Sequence, residues 1–253
     1  MLSESQLQSF HEQGYLKIPQ FIDGQTLARL QMETEALHEE MAQLAIEEDR
    51  VGPNSNLKNG AGIAWEEDLE AGKLRIRQLI NSECVCPSIA EILESESMLS
   101  VIRQLSGEQD IIKFHSKLLM KPARDGSFTP WHQDWGYWQS YRKDPSQINC
   151  MLSIDPATLE NGCVRFVAGS HKAGSIEHGT VPSASFSIGL EGDIDAYDAT
   201  PVETEAGDAV FFGSLIIHGS APNKSNQERR ANTFAYDKAN NTLDEENEEP
   251  LLK

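Results

Sequence analysis

Two stretches far apart in the chain most restrict how it can fold. They are Thr129-Pro130-Trp131-His132-Gln133-Asp134-Trp135-Gly136-Tyr137-Trp138 and Phe211-Phe212-Gly213-Ser214-Leu215-Ile216-Ile217-His218. His132 and Asp134 are two residues apart, so an extended strand would send both side chains to one face. An imidazole and a carboxylate so placed are two corners of a site for a divalent transition metal, and His218 fits the third. Two histidines and one carboxylate on one side of a metal leave its other positions open for exchangeable ligands. A His-x-Asp triplet alone is weak in a chain with seven histidines and this much acid. The fold must be one that brings it to a distant histidine.

The order of periodicities supplies such a fold. Ser3 with Gln6 reads as a capping box, and Leu7, Phe10 and Gly14 as a short amphipathic helix ending at glycine. Tyr15-Leu16-Lys17-Ile18 alternates like a strand and is stopped by Pro19. Residues 24–48 carry Leu27, Leu30, Met32, Leu37, Met41 and Leu44 at helical spacing and read as one long helix. Residues 50–72 are rich in Gly, Asn and Pro and read as a long surface loop, a candidate lid. Residues 73–80 alternate as a strand, and two short helices follow near 87–94 and 96–106, ending at Gly107.

From residue 110 the texture changes to strands, at 110–121, 148–154, 163–167, 209–212 and 231–236, with a long Gly/Ser/Asp-rich loop over 174–200. Helices followed by a run of strands argue for an α+β chain with a mainly β core. Jelly rolls and cupins hold a metal between two sheets, which joins a His-x-Asp on one strand to a histidine far along the chain. Expected, then, is one domain over residues 1–237, followed by an acidic, mobile tail over 238–253.

Composition removes several classes. Lys and Arg number 21 against 40 Asp and Glu, a net charge of −19, which opposes nucleic acid and anionic membrane surfaces as partners. The four cysteines, Cys84, Cys86, Cys150 and Cys163, are too sparse for a disulfide framework, and Cys84-Val85-Cys86 lacks a second pair for a metal site. Reduced thiols in a cytoplasmic protein fit better, and no apolar run is long enough to cross a bilayer. The oligomeric state is not legible.

Thr158-Leu159-Glu160-Asn161-Gly162-Cys163-Val164-Arg165-Phe166-Val167-Ala168-Gly169-Ser170-His171-Lys172 carries a resemblance. With Gly14-Tyr15-Leu16, Lys121-Pro122 and the run from Gly207-Asp208 to Arg229, it resembles the phytanoyl-CoA dioxygenase family of Fe(II)/2-oxoglutarate oxygenases over residues 8–236. The resemblance implies a double-stranded β-helix (jelly roll, cupin-like) flanked by N-terminal helices. It also implies Fe(II) held by His132, Asp134 and His218, with 2-oxoglutarate as cosubstrate and O2 as oxidant. Arg229, eleven positions after His218, matches the arginine that pairs with the distal carboxylate of 2-oxoglutarate, as a guanidinium fork suits a carboxylate. Ser220 matches a hydroxyl that joins it. Arg230 is the neighbouring competitor, but on a strand the two leave opposite faces. Of Asn149, Met151 and Ser153, which share a face, Asn149 is the candidate for a further cosubstrate contact.

The implied activity is a dioxygenase hydroxylating an unactivated C–H bond with release of succinate and CO2. Halogenases of this kind lack the carboxylate ligand, so Asp134 sets halogenation aside. Desaturation or cyclisation on the same scaffold stays open, as does a cupin-like metal-binding protein without redox chemistry. Trp131, Trp135, Tyr137, Trp138 and Tyr141 gather beside the metal motif in a chain with four tryptophans. Expected from them is an aromatic wall over the iron, made by Trp138, Trp135 and Tyr137, with Lys117 and Lys121 facing the cavity. Trp138 stands six residues after His132, where related hydroxylases carry a tryptophan near the substrate. That wall suits a small polar or zwitterionic metabolite, a quaternary ammonium included, which an aromatic face attracts, and the overall charge opposes an acyl-CoA. His171 reads as a structural residue at the end of its strand, and His115 and His178 as core or surface histidines, with a place in the pocket the alternative for His115.

Overall fold

Ser3 Oγ accepts from the Gln6 N–H and Gln6 Oε1 from the Ser3 N–H, so both halves of the expected capping box form at the start of α1 (Glu4–Gln13). The computed structural model describes residues 1–52, 55–66, 74–124, 126–181, 188–193, 195–243 and 251–252. The helix ends at Gly14, whose φ of 86° is the left-handed conformation glycine adopts without penalty. It feeds β1 (Tyr15–Ile18).

The helix expected over 24–48 is two helices, α2 (Gly24–Glu35) and α3 (Leu37–Glu47), broken at Ala36. Near the break the Thr34 hydroxyl donates back to the Leu30 carbonyl, and Arg230 reaches the Gln31 carbonyl. Such competing bonds bend or end a helix. The expected loop over 50–72 is also corrected in part: β2 (Ser55–Asn56) and β3 (Gly62–Trp65) pair there, with β3 wholly buried. Residues 53–54 and 67–73 lie outside the described residues, and the lid expectation with them.

The chain continues through β4 (Ile76–Ile80), α4 (Pro87–Leu93) and α5 (Glu96–Ser106), and then β5 (Ile111–Lys121), β6 (Thr129–His132) and α6 (Trp135–Trp138). There follow β7 (Ile148–Ser153), β8 (Val164–Phe166), β9 (Gly179–Thr180), β10 (Ile188–Gly189), β11 (Thr200–Pro201), β12 (Ala209–Gly213), β13 (His218–Ser220), β14 (Arg229–Lys238) and β15 (Leu251–Leu252). The loop expected over 174–200 thus contains the small β9–β10 hairpin and the start of β11.

A large antiparallel sheet runs β1-β12-β7-β14-β5-β4-β3-β2, with β15 also on β5, and faces a smaller sheet ordered β11-β8-β13-β6. The two sheets form the double-stranded β-helix, a jelly roll with helices on its outer side. Alternate residues divide the large sheet's work. Leu118, Met120, Cys150, Leu152 and Phe234 share one core with Ile89, Met98, Leu99 and Ile102 of α4 and α5. The residues between them face the smaller sheet across a cavity.

All four cysteines are free. No helix among the described residues is long and apolar enough to cross a membrane. The first residues of the stretch expected as a tail from Lys238 belong to the fold. Lys238 still pairs with Ile111, and Asn241 is buried with its amide donating to the Asp237 carboxylate and the Asp144 carbonyl. Residues 244–250 and 253 lie outside the described residues.

Candidate active site

The smaller sheet brings the two distant histidines together. His218 on β13 is the register partner of His132 on β6, and the rings are 4.2 Å apart between centroids. Each ring is oriented through Nδ1, which lies 2.8 Å from the Pro130 carbonyl in His132 and 3.1 Å from the Ile216 carbonyl in His218. A carbonyl can only accept, so Nδ1 carries the proton and the Nε2 lone pair is left for a metal. Asp134 Oδ1 is 3.5 Å from His132 Nε2, and Oδ2 is 3.8 Å from His218 Nε2. Ligand atoms of the three side chains fall within 4.8 Å of one another, a set that fits one metal ion.

Asp134 arrives by a different route from the one expected. β6 ends at His132, and Asp134 sits in a turn with helical dihedrals that opens α6. The reason is Gln133, fully buried between the two ligands. Its amide donates to the Gly174 and Leu215 carbonyls, its carbonyl accepts from Ile176 N–H, and its own backbone N–H donates to His178 Nε2. These bonds pin the turn that aims Asp134. His178, read from the sequence as a core or surface histidine without a partner, is thus tied to the site through Gln133. A Cβ on Gly136 would lie 2.8 Å from the His178 ring, so this close approach needs glycine. Asn149, expected on a cosubstrate, donates to Asp134 Oδ2 at 3.0 Å and fixes that carboxylate.

The electrostatics suit a metal. Burial alone would raise the Asp134 pKa, but His218 and His132 outweigh it and hold the carboxyl well below the usual range. Burial and the neighbouring His132 push His218 down to about 4, so it is the neutral, ligating imidazole at neutral pH.

At another part of the cavity cations meet. Arg229 opens β14, is 3 % exposed, and is the register partner of Lys121 on β5. Like charges directly opposite on a sheet repel. Arg229 Nη2 donates to the Gly162 carbonyl at 2.8 Å, while its buried Nε has no partner among the described residues. Lys121 donates to Ser220 Oγ at 2.7 Å and to the Ala221 carbonyl, so this lysine, expected against substrate, stands with Ser220 and Arg229. Burial lowers the Lys121 pKa first, then Arg229 and Arg77. Burial takes Arg229 down to about 10, which leaves it charged at neutral pH. An oxyanion between these groups would relieve the repulsion and occupy the orphaned Nε. Arg230 leaves the other face and pairs with Asp155 through Nε and Nη2, at 2.8 and 2.9 Å.

The aromatic wall does not form where expected. Trp135 and Trp138 are buried with Phe114 and Ala235 in a cluster of their own, and neither lines the cavity. Tyr137 donates to the Ile188 carbonyl and lies edge-on to His132, 5.9 Å between centroids. Trp131 packs on Tyr197 and donates to the Asp193 carbonyl. Inside the cavity stand Lys117, as expected, His115, for which the pocket was the lesser of two readings, and Gln78 and Thr233, which the sequence did not point to. His115 packs edge-on to Trp138, and burial, with help from Lys117, drops its pKa to about 3, so it is neutral. The signal that was available is spacing: His115, Lys117, Leu119 and Lys121 alternate on β5, so one of them in the cavity places all four.

The family model described as phytanoyl-CoA dioxygenase matches residues 10–231. Among curated relatives, the methylphosphonate hydroxylase of Gimesia maris is 28% identical, over 93% of this chain and 80% of that protein. The ectoine dioxygenase of Bordetella bronchiseptica is 24% identical, over 96% of this chain and 77% of that protein. Among solved structures, EctD from S. alaskensis with 2-oxoglutarate and 5-hydroxyectoine superposes with a TM-score of 0.73 at 19% identity, covering 96% of this chain and 78% of that one.

Proposed function

The chain belongs to the phytanoyl-CoA dioxygenase family and is an Fe(II)- and 2-oxoglutarate-dependent dioxygenase; from that premise we propose how its own residues are assigned. His132, Asp134 and His218 hold the iron, and Arg229 with Ser220 and Lys121 seats the distal carboxylate of 2-oxoglutarate. The observation that carries the second assignment is the orphaned Nε of a buried arginine that faces a lysine across one rung of a sheet. A metal site alone has no use for that arrangement, which argues against a cupin-like binding protein.

When bound, iron and 2-oxoglutarate supply the oxidising power for an unactivated C–H bond, with O2 consumed and succinate and CO2 released. The protein's part is positional. The Nδ1–H bonds to Pro130 and Ile216 keep both Nε2 atoms turned to one point. Asn149 and the Gln133 anchors hold Asp134 on the same side. Leu119, Val164 and Phe212 give the cavity dry walls that limit water near the reacting carbon.

The substrate is a small polar metabolite that is hydroxylated. The curated relatives above are named for methylphosphonate and ectoine, both compact and polar, and the net charge of −19 opposes a polyanionic CoA ester. The expectation of a cationic group under an aromatic wall is not carried forward, because those aromatics do not line the cavity. The test is succinate formation from 2-oxoglutarate with Fe(II) and O2, screened for stimulation by small metabolites. A protein that binds no 2-oxoglutarate and forms no succinate with any of them would overturn the reading.

A further inference from the structure

The cavity face of β5 carries two lysines, and their surroundings differ. Lys121 donates to Ser220 Oγ and the Ala221 carbonyl beside Arg229. Lys117 lies four residues earlier, ~13 Å along an extended strand. It lines the same cavity, yet its ammonium makes no hydrogen bond or ion pair with any described residue. Its rung partners are Thr233 on β14 and Ile80 on β4, neither of them charged. His115, the next residue on that face, is neutral. The acid that acts on Lys117 is Asp134, and that carboxylate already faces both imidazoles and accepts from Asn149.

Lys117 is half-buried, and an ammonium partly withdrawn from water beside a cavity, with no counter-charge bonded to it, gains when a ligand brings the anion. Two oxyanions could meet Lys117: the C1 carboxylate of 2-oxoglutarate, or an acidic group on the substrate. The first has another seat, since a metal held on one side by three ligands leaves positions for a chelating C1 carboxylate and keto oxygen. The distal carboxylate belongs with Arg229.

We propose that Lys117 is the substrate's anion receptor, so that this enzyme acts on a small organic acid whose carboxylate or phosphonate lies against Lys117 while its reacting carbon points to the metal. Gln78, on the same wall, adds a hydrogen-bonding amide near that oxyanion, while the Thr233 hydroxyl donates to the Lys117 carbonyl. The aromatic residues expected to hold a cation act instead from behind, Trp138 fixing the His115 ring edge-on. This rests on the assignment of Arg229 to the cosubstrate.

The experiment is titration calorimetry on the zinc(II)-loaded protein saturated with 2-oxoglutarate, which binds without turnover. The probes are methylphosphonate, 2-aminoethylphosphonate and L-proline, each beside the full ester that removes its anionic charge, with tetramethylammonium as a cation. Expected is binding of at least one acid, with its ester at least about tenfold weaker, as loss of a charge-assisted bond requires. Lys117→Met should erase the difference between acid and ester, Lys117→Arg should restore part of it, and the Kd of 2-oxoglutarate should move by less than about twofold. Lys117→Gln serves if the methionine variant does not fold. Equal binding of acid and ester, no acid bound, or tetramethylammonium bound in their place would each overturn the proposal. A Lys117→Met variant that loses 2-oxoglutarate tenfold would assign the ammonium to the cosubstrate and overturn it too. Wild-type protein that binds no 2-oxoglutarate would defeat the Arg229 assignment first, a result distinct from all of these.

Discussion

The two faces of the large sheet are made by alternate residues of the same strands, yet they are built to opposite rules. On the helix side, β5 and β14 present Leu118, Met120 and Phe234 to α4 and α5. The polar groups there are paired: Ser116 with Ser82, and the Tyr236 hydroxyl with the Leu93 carbonyl. On the cavity side the same strands present Lys117, Lys121 and Arg229, with an orphaned guanidinium nitrogen on Arg229 and, on Lys117, an ammonium that bonds to no described residue. One face is closed and satisfied. The other is left short of anions, and a soluble ligand can supply them. Stability and function are therefore separable along one strand, residue by residue.

That separation can be broken by mutation. The largest effect is expected from the metal side: His218→Ala should abolish succinate formation while the thermal midpoint of metal-free protein moves little. Residual turnover near the wild-type rate would remove His218 from the centre. Next comes the closed face, where Phe234→Ala should cost about 3–5 kcal/mol of stability in urea titration. Its folded fraction should bind 2-oxoglutarate with unchanged affinity, and a large loss of affinity would show the two faces to be coupled.

Arg229→Ala should weaken 2-oxoglutarate at least tenfold, from about 1.5–3 kcal/mol per charge-assisted bond, with stability kept or raised as a buried charge is removed. Arg230→Ala should do the reverse, leaving the cosubstrate alone and costing about 1–3 kcal/mol through the lost Asp155 pair. Exchange of those two results would mean that the strand's facing is opposite to the one described.

The smallest effect is a pH dependence. The folded pKa of His115 is lowered from 6.5 to about 3, so between those values the unfolded chain binds the extra proton. Stability of the metal-free protein must then rise with pH through that window and be lost as pH falls below 6.5. The slope is at most about 1.4 kcal/mol per pH unit, and less here because the ring borders the cavity. His115→Gln should flatten the difference between urea midpoints at pH 5 and pH 7. An unchanged slope would show that His115 takes up its proton without strain.

Local signals account for the parts of the fold that were legible. The Ser3–Gln6 cap, the glycine stops at Gly14 and Gly107, and the alternation of β5 and β14 are set within a few residues by hydrogen bonding and by the strand's period of two. The same period separated Arg229 from Arg230. The break at Ala36 escaped because the apolar spacing runs on through it and the competing bond to Gln31 comes from Arg230, far along the chain. The β2–β3 pairing escaped because those strands are short and polar in part. The turn at Asp134 escaped because Gln133 is held by carbonyls at Gly174 and Leu215 that no spacing rule connects to it.

The sequence by itself determined the chemistry on offer: two imidazoles and a carboxylate for a metal, an arginine at a fixed distance after the second histidine, and strands able to carry them. Residue type and period suffice for that, because they decide which side chains can share a face. Only the tertiary structure decided which face met which partner. It turned Trp138 into packing behind His115, moved Lys121 beside Ser220 and Arg229, and left the Lys117 ammonium in the cavity bonded to no described residue. The physical reason is that burial and pairing depend on what the opposite sheet and the covering helices bring, and those neighbours come from residues far away in the chain.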